Sequence, residues 1–333
     1  RQRQMCIRDR GYTNQDGVMK GTNYQRYTLQ SKQDFKKGIF QAGTNVVLTY
    51  DQSNPLYSVI RGGMVGHTLQ AIPTWEQYDE NRTGGYGGLY GDVVNLTHPL
   101  GMVDDNLMKR YSDNVKIFAN AYVSVELMKG LKYKLNLTPD FQFYRYNSYE
   151  GLFDFGLAKH DITAVTEQQT RTRNILVENL LTFDRTFGDH KVSALVGYTY
   201  QDSRYRYMQG SGQGMPTGIT EIDAASQGLA VSGNSSRSVL TSILGRAFYS
   251  YKNRYLLTAT IRRDGSSKFG SNYRYGNFPS VSVGWNIAEE DFVKNSVSWL
   301  DQLKLRGGYG VLGNQEIDNY QYAVSYTHLT LPT

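Results

Sequence analysis

Between Val239 and Val311 the chain carries four segments in which largely apolar and polar residues alternate, with Phe248 a departure on the polar face. Val239, Thr241, Ile243, Ala247, Tyr249 and Tyr251 fall on one face, and Ser242, Arg246 and Ser250 on the other. After Lys252-Asn253-Arg254 the pattern resumes, with Tyr255, Leu257, Ala259 and Ile261 against Thr258, Thr260, Arg262 and Asp264. Val281, Val283, Trp285 and Ile287 repeat it against Ser282, Gly284 and Asn286. Leu303, Leu305, Tyr309 and Val311 repeat it once more against Lys304 and Arg306. A period of two sustained over successive segments predicts β-strands with one apolar and one polar face. Similar stretches at 26–34, 40–50, 114–127, 131–147, 172–185 and 191–201, with a strand end and tip at 11–24, bring the expectation to about eleven strands.

The connections sort by length. Short turns are predicted at 36–38, 128–130, 188–190 and 252–254, and long polar loops at about 52–113, 148–171 and 202–237. Short turns on one side and long loops on the other are the rule of outer-membrane barrels, whereas a soluble sandwich has no reason to segregate them. Aromatics mark the margins of the apolar face (Tyr249, Tyr251, Tyr255, Trp285, Tyr309), and charges sit well inside the strands on the polar face. That arrangement suits lipid outside and water inside. The expected fold is all-β: a partial transmembrane antiparallel β-barrel with long extracellular loops. The strand number is too large for a small filled barrel, and it points to a fragment of a 22-stranded plugged barrel.

Composition narrows this further. The chain has 333 residues with 39% hydrophobic and 13% aromatic content, 27 Tyr and 34 Gly, a balance suited to strands half wet and half in lipid. No run of 18 apolar residues occurs, so no transmembrane helix is predicted; a barrel escapes that scan because only alternate residues are apolar. The net charge of +6 is spread without a basic block or a recognition motif, which argues against nucleic acid as a partner. Cys6 is the sole cysteine, so no disulfide framework or thiolate metal site is expected, and the five histidines lack ligand spacing.

The ends break the pattern. RQRQMCIRDR at 1–10 and VSYTHLTLPT at the C-terminus are similar to translated sequencing-adapter read-through. Residues 1–10 and 324–333 are therefore expected to be non-native, with the barrel stretch running over 11–323 and both true termini absent.

Several strings carry a family resemblance. RRDGSSKFG (262–270), RYGNFPSVSVGWNIAEEDF (274–292) and SWLDQLKLRGGYGVLGNQEIDNYQY (298–322) closely resemble the barrel of SusC/RagA-type TonB-dependent outer-membrane transporters of Bacteroidetes. Residues 178–201 and 11–30 fit the same family less sharply. The resemblance implies a 22-stranded barrel around an N-terminal plug in the outer membrane of a Gram-negative cell. It implies uptake of an oligosaccharide or peptide with a SusD-like surface lipoprotein, driven by TonB-ExbB-ExbD through an N-terminal region that this chain lacks. Two other assignments use the same strands: a siderophore or cobalamin receptor, or a structural or adhesive outer-membrane β-protein.

Candidate chemistry is sparse. Gly308-Tyr309-Gly310-Val311-Leu312-Gly313 matches GxGxxG, but it lies in a strand with no helix pattern after it, so strand bending is the better reading and no cofactor is expected. There is no HExxH, no GxSxG and no Walker motif, so no enzyme activity is expected. Arg246, Arg262, Asp264, Lys304 and Arg306 fall on the inward face, where they would line the lumen or meet the plug, or simply form ion pairs on a wet wall. Trp75, Tyr78, Tyr86 and Tyr90 sit in the longest loop, where aromatic faces could stack on sugar rings. Asp104-Asp105 in that loop is a weak Ca²⁺ candidate, well short of a motif.

Overall fold

A computed structural model of the chain describes residues 3–55, 63–88, 96–294 and 299–323. The period-two stretches become β1 (Arg3–Asp16), β2 (Asn23–Lys37), β3 (Phe40–Asn54), β4 (Met108–Met128) and β5 (Leu131–Glu150). A two-residue ribbon follows, β6 (Phe153–Asp154) with β7 (Lys159–His160). The main series continues with β8 (Ala164–Phe187), β9 (His190–Gln213), β10 (Gln227–Tyr251), β11 (Tyr255–Ser266), β12 (Tyr275–Asn286) and β13 (Lys304–Gly310). Apart from β6 and β7 these form one 11-stranded sheet in chain order, each strand antiparallel to the next. Among the described residues helix is limited to short pieces, chiefly α1 (Gly63–Gln70) in the longest loop and α2 (Asp291–Lys294) after β12. Among the described residues no helix is long and apolar enough to cross a membrane.

The four short turns fall where expected. At the β4–β5 turn Gly130 has φ 85°, and a Cβ there would lie 2.5 Å from the Asp184 carbonyl oxygen, so a side chain is excluded both by conformation and by space. The long loops are shorter than expected on three counts. β8 begins at Ala164, β9 runs to Gln213 and β10 starts at Gln227, so the predicted loops 148–171 and 202–237 shrink to 151–163 and 214–226. The segregation of loop length also has an exception: residues 287–303, joining β12 to β13 on the short-turn side, carry α2.

Register shows which face meets which solvent. Phe40, Val125, Tyr133, Leu181, Val196, Gly245, Ile261 and Pro279 are consecutive cross-strand partners from β3 to β12. This apolar row is the open face: Val196 and Ile261 are 58% and 59% exposed, while Ser242 and Ser250 on the opposite face are 1% and 2% exposed. Water would penalise such a face at about 25 cal/mol per Å² of apolar surface, and hydrocarbon does not. The buried apolar residues lie elsewhere. Met102, Leu107, Met108, Phe153 and Phe155 cluster at the loop ends of the strands, as do Tyr149, Val165 and Met215. Among the described residues the sheet therefore has no apolar core between its turns and its loops; its apolar side is the one suited to lipid.

Residues 3–10, expected to break the pattern, continue β1 alongside β2, with Arg3 opposite Lys36. An edge strand pairs through its backbone whatever its side chains, so this pairing is independent of their origin. β1 and β13 form the two edges of the described sheet. Residues 11–323 produced alone should therefore give no heat-modifiable, protease-resistant monomer, because hydrocarbon cannot satisfy an open edge; a gel-shift assay with and without boiling checks this. Within a complete barrel, Val196→Arg should cost about 2–4 kcal/mol in a denaturant titration, and Ser282→Arg on the other face should cost far less.

Candidate functional site

The long loop between β3 and β4 and the β5–β8 loop close over each other through aromatic contacts. His98 is the hub. Its ring centroid lies 4.8 Å from Trp75, 5.2 Å from Tyr86 and 5.8 Å from Phe155. Phe155 stacks on Phe153 at 4.5 Å, and Phe153 stacks on His160 at 5.5 Å. Close packing fixes this arrangement: a Cβ on Gly101 would lie 2.4 Å from the Phe155 ring. Arg82, 8% exposed, ties the two loops electrostatically, with Nη1 3.0 Å from Asp154 Oδ1 and Nε 3.3 Å from Asp79 Oδ2.

The loop aromatics singled out from the sequence thus have different fates. Trp75 and Tyr86 are half-buried pieces of this small core, and Tyr78, at 65% exposure, faces solvent beside Tyr86 with centroids 5.6 Å apart. Tyr90 lies outside the described residues. Asp104 is engaged: Oδ2 accepts the Tyr86 hydroxyl at 2.9 Å, and Oδ1 accepts the backbone and side-chain amides of Asn106 at 2.9 and 3.0 Å. Asp105 is exposed, and among the described residues no group of three or more His, Cys, Asp or Glu is placed to hold a metal ion. The hub residues His98, Phe153 and Phe155 were not singled out. The one local signal for them is the aromatic pair Phe153-Asp154-Phe155 in a loop that also carries Leu152, Leu157 and Ile162.

The inward face is polar and cross-linked. Asp34, Gly43, Tyr122, Asn136 and Glu178 are successive partners across five strands. The Tyr122 hydroxyl donates to Asp34 at 2.5 Å over the bare Gly43, and Asn136 donates to Glu178 at 2.8 Å. The wall charges expected from the sequence share this face. Arg262 and Asp264 pair at 2.6 Å, and Arg262 also donates to Ser242 at 3.2 Å. Both border a cavity of about 480 Å³ with Tyr273, Arg274, Phe278 and Asn314. Arg246, Lys304 and Arg306 occupy other register positions of the same face, opposite Thr260, Asn286 and Gly284. The GxGxxG string has a packing reason. β13 ends at Gly310, and a Cβ on Gly313 would lie 2.2 Å from the Phe278 ring.

Burial holds His98 and His67 below the ordinary histidine value of 6.5; for His98 a hydrogen bond to the Glu76 carbonyl partly offsets this. Burial, with the Asp104 bond second, pushes Tyr86 up to about 12. A histidine whose folded pKa is depressed contributes stability that is complete above its unfolded value and is lost as pH falls toward the folded one. The loop core should therefore loosen as pH falls below about 6.5, read as hydrogen-exchange protection of 96–108 and 153–155 normalised to intrinsic rates, and His98→Phe should remove much of that dependence.

No family model matches the chain. It is 29% identical over 321 residues to TonB-dependent receptor P39 of Formosa agariphila, covering 95% of this chain and 30% of that protein. It is 27% identical over 345 residues to TonB-dependent receptor SusC of Bacteroides thetaiotaomicron, covering 95% of this chain and 33% of that one. Its fold matches the solved RagAB peptide transporter with a TM-score of 0.81 at 20% identity, over 95% of this chain and 36% of that one. The chain thus spans about a third of the length of the curated relatives it matches. Pairing order, solvent faces and similarity along nearly the whole chain together make it similar to a stretch of the barrel of such TonB-dependent receptors.

Proposed function

We propose that this chain is barrel wall from an outer-membrane receptor that takes up an oligosaccharide or peptide with a SusD-like lipoprotein, powered by TonB-ExbB-ExbD. The observation that carries the reading is the continuous similarity to SusC over 95% of the chain, joined to an apolar face turned outward and a hydrogen-bonded polar face turned inward. The named relatives are receptors, and RagAB is a peptide transporter, which keeps the peptide alternative beside the oligosaccharide. In this reading the lipoprotein lid closes over the long loops, and ligand passes the inward cavity at Arg262 and Asp264. Those side chains, with Arg246, Lys304 and Arg306, form the charged wall. Tyr78 is the loop aromatic positioned to meet a ligand, and Trp75 and Tyr86 hold its platform. Residues 1–10 and 324–333 are read as non-native.

A long sequencing read through the locus tests this. A plug domain upstream, further strands downstream and an adjacent lipoprotein gene are the expected result, with neighbouring glycosidase or peptidase genes separating the two substrate classes. A natural start near Gly11 with no plug would favour a structural surface β-protein instead. In the complete receptor, Tyr78→Ala should weaken ligand capture by about tenfold while leaving thermal stability unchanged, as loss of one stacking contact of ~1 kcal/mol or more implies; equal binding by titration calorimetry would remove Tyr78 from the site.

A further inference from the structure

The outward face changes character sharply above the apolar band on β8, β9 and β10. Along β9 the outward residues run Val192, Ala194, Val196, Tyr198 and Tyr200, then Asp202, Arg204 and Arg206. Register sets these beside like charges. Arg173, Arg204 and Arg237 are direct partners across three strands, and in the next row Arg171 lies opposite Arg206. One carboxylate answers them. Asp202, buried at 6% exposure, receives Arg237 Nη2 at 2.8 Å and Arg204 Nε at 3.2 Å, with Arg173 Nη2 3.8 Å away. Arg171 and Arg206 are exposed and make no ion pair among the described residues, and Arg173 Nε has no hydrogen-bond partner among them.

Like charges directly opposite on one sheet face destabilise it. Five arginines against one carboxylate therefore leave a surplus that an anion would relieve. Guanidinium groups match phosphate best, because they bind two oxygens at once in a planar fork. Position selects the source. The cluster lies on the lipid side of the wall, next to the band and toward the long loops, at the level of outer-leaflet headgroups. We propose that Arg171, Arg173, Arg204, Arg206 and Arg237, held in place by Asp202, form a site for the phosphate of an outer-leaflet lipid headgroup. The proposal rests on the outer-membrane reading above.

The test uses the complete receptor carrying this stretch, extracted in mild detergent and passed through detergent exchange, with bound phosphorylated lipid measured by native mass spectrometry. The wild type should retain such lipid, and Arg204→Gln/Arg237→Gln should retain about tenfold less, as expected for losing charge-assisted phosphate contacts. Arg204→Lys/Arg237→Lys should recover part of the loss. In wild type alone, enzymatic removal of the lipid phosphates should lower retention comparably. Equal retention with and without phosphate, or in the glutamine variant, would overturn the proposal, as would displacement of the lipid signal by a second receptor copy. Heat-modifiability is read on every sample. A heat-modifiable receptor without the lipid sinks the site alone, whereas a receptor that never shows the gel shift sinks the barrel reading with it.

Discussion

Hydrocarbon offers no hydrogen-bond partner to a peptide group, and this constraint orders the rest of the molecule. Every strand of the large sheet between its edges β1 and β13 has a neighbour on each side, so backbone donors and acceptors are consumed within the sheet. Once pairing is obligatory, register follows, since a slip of one residue would turn each apolar row from lipid to lumen. The unbroken row from Phe40 to Pro279 across eight strands shows how completely the sequence is written to one register. The tight turns serve the same end: Gly130 admits no side chain, and its backbone bonds to Asp184 across the strand end.

Because the sheet keeps its apolar side for lipid, tertiary packing has to be found outside the membrane. The structure builds it at the loop ends, where His98, Phe153 and Phe155 and, separately, Tyr149, Val165 and Met215 are buried. β8, β9 and β10, at 24, 24 and 25 residues, reach well past the apolar band to meet those cores. Such strands rise about 80 Å at ~3.3 Å per residue, or roughly 60 Å along the normal at ~40° tilt, against a band of ~25 Å. More than half of each strand is therefore a wet extension that carries loops, small cores and the arginine cluster.

Those extensions explain what could be read from the sequence. In the strands between Val239 and Val311 one face is lipid and the other water, so alternation is sustained, with Phe248 an exception on the polar face, and the strands were legible, as were the turns at Gly38, Gly130, Gly188 and Asn253. Over 227–236 both faces of β10 are exposed almost throughout, 232–236 is only Ser, Gly and Asn, and the period vanishes although the pairing continues. A loop was therefore expected where a strand stands. The fate of Trp75 and Tyr86 was hidden for another reason: Trp75 meets His98 and Tyr86 meets Phe155, the latter 69 positions away, and only the fold brings them together. The inward placement of Arg262 and Asp264 needed parity alone, but their share in one cavity with Asn314 needed the return of the chain after β13.

The same parity argument exposes what composition concealed. A net charge of +6 spread along the chain reads as a solvated wall until each arginine is given a face. Arg262 is inward and paired with Asp264, and Arg254 at the short-turn end meets Glu290 and Asp291. Arg173, Arg204 and Arg237 are outward, in one row, and share Asp202. A carboxylate buried under three guanidinium groups fixes their geometry but cannot neutralise them, so the surplus charge is held rigidly at the outer border of the apolar band. Mobile counter-ions would screen charges on a flexible loop over a Debye length of ~8 Å at physiological salt. On a paired strand beside hydrocarbon the low-dielectric wall lessens that screening, which leaves a multiply charged anion anchored in the same lipid layer as the ligand of the right chemistry in the right place.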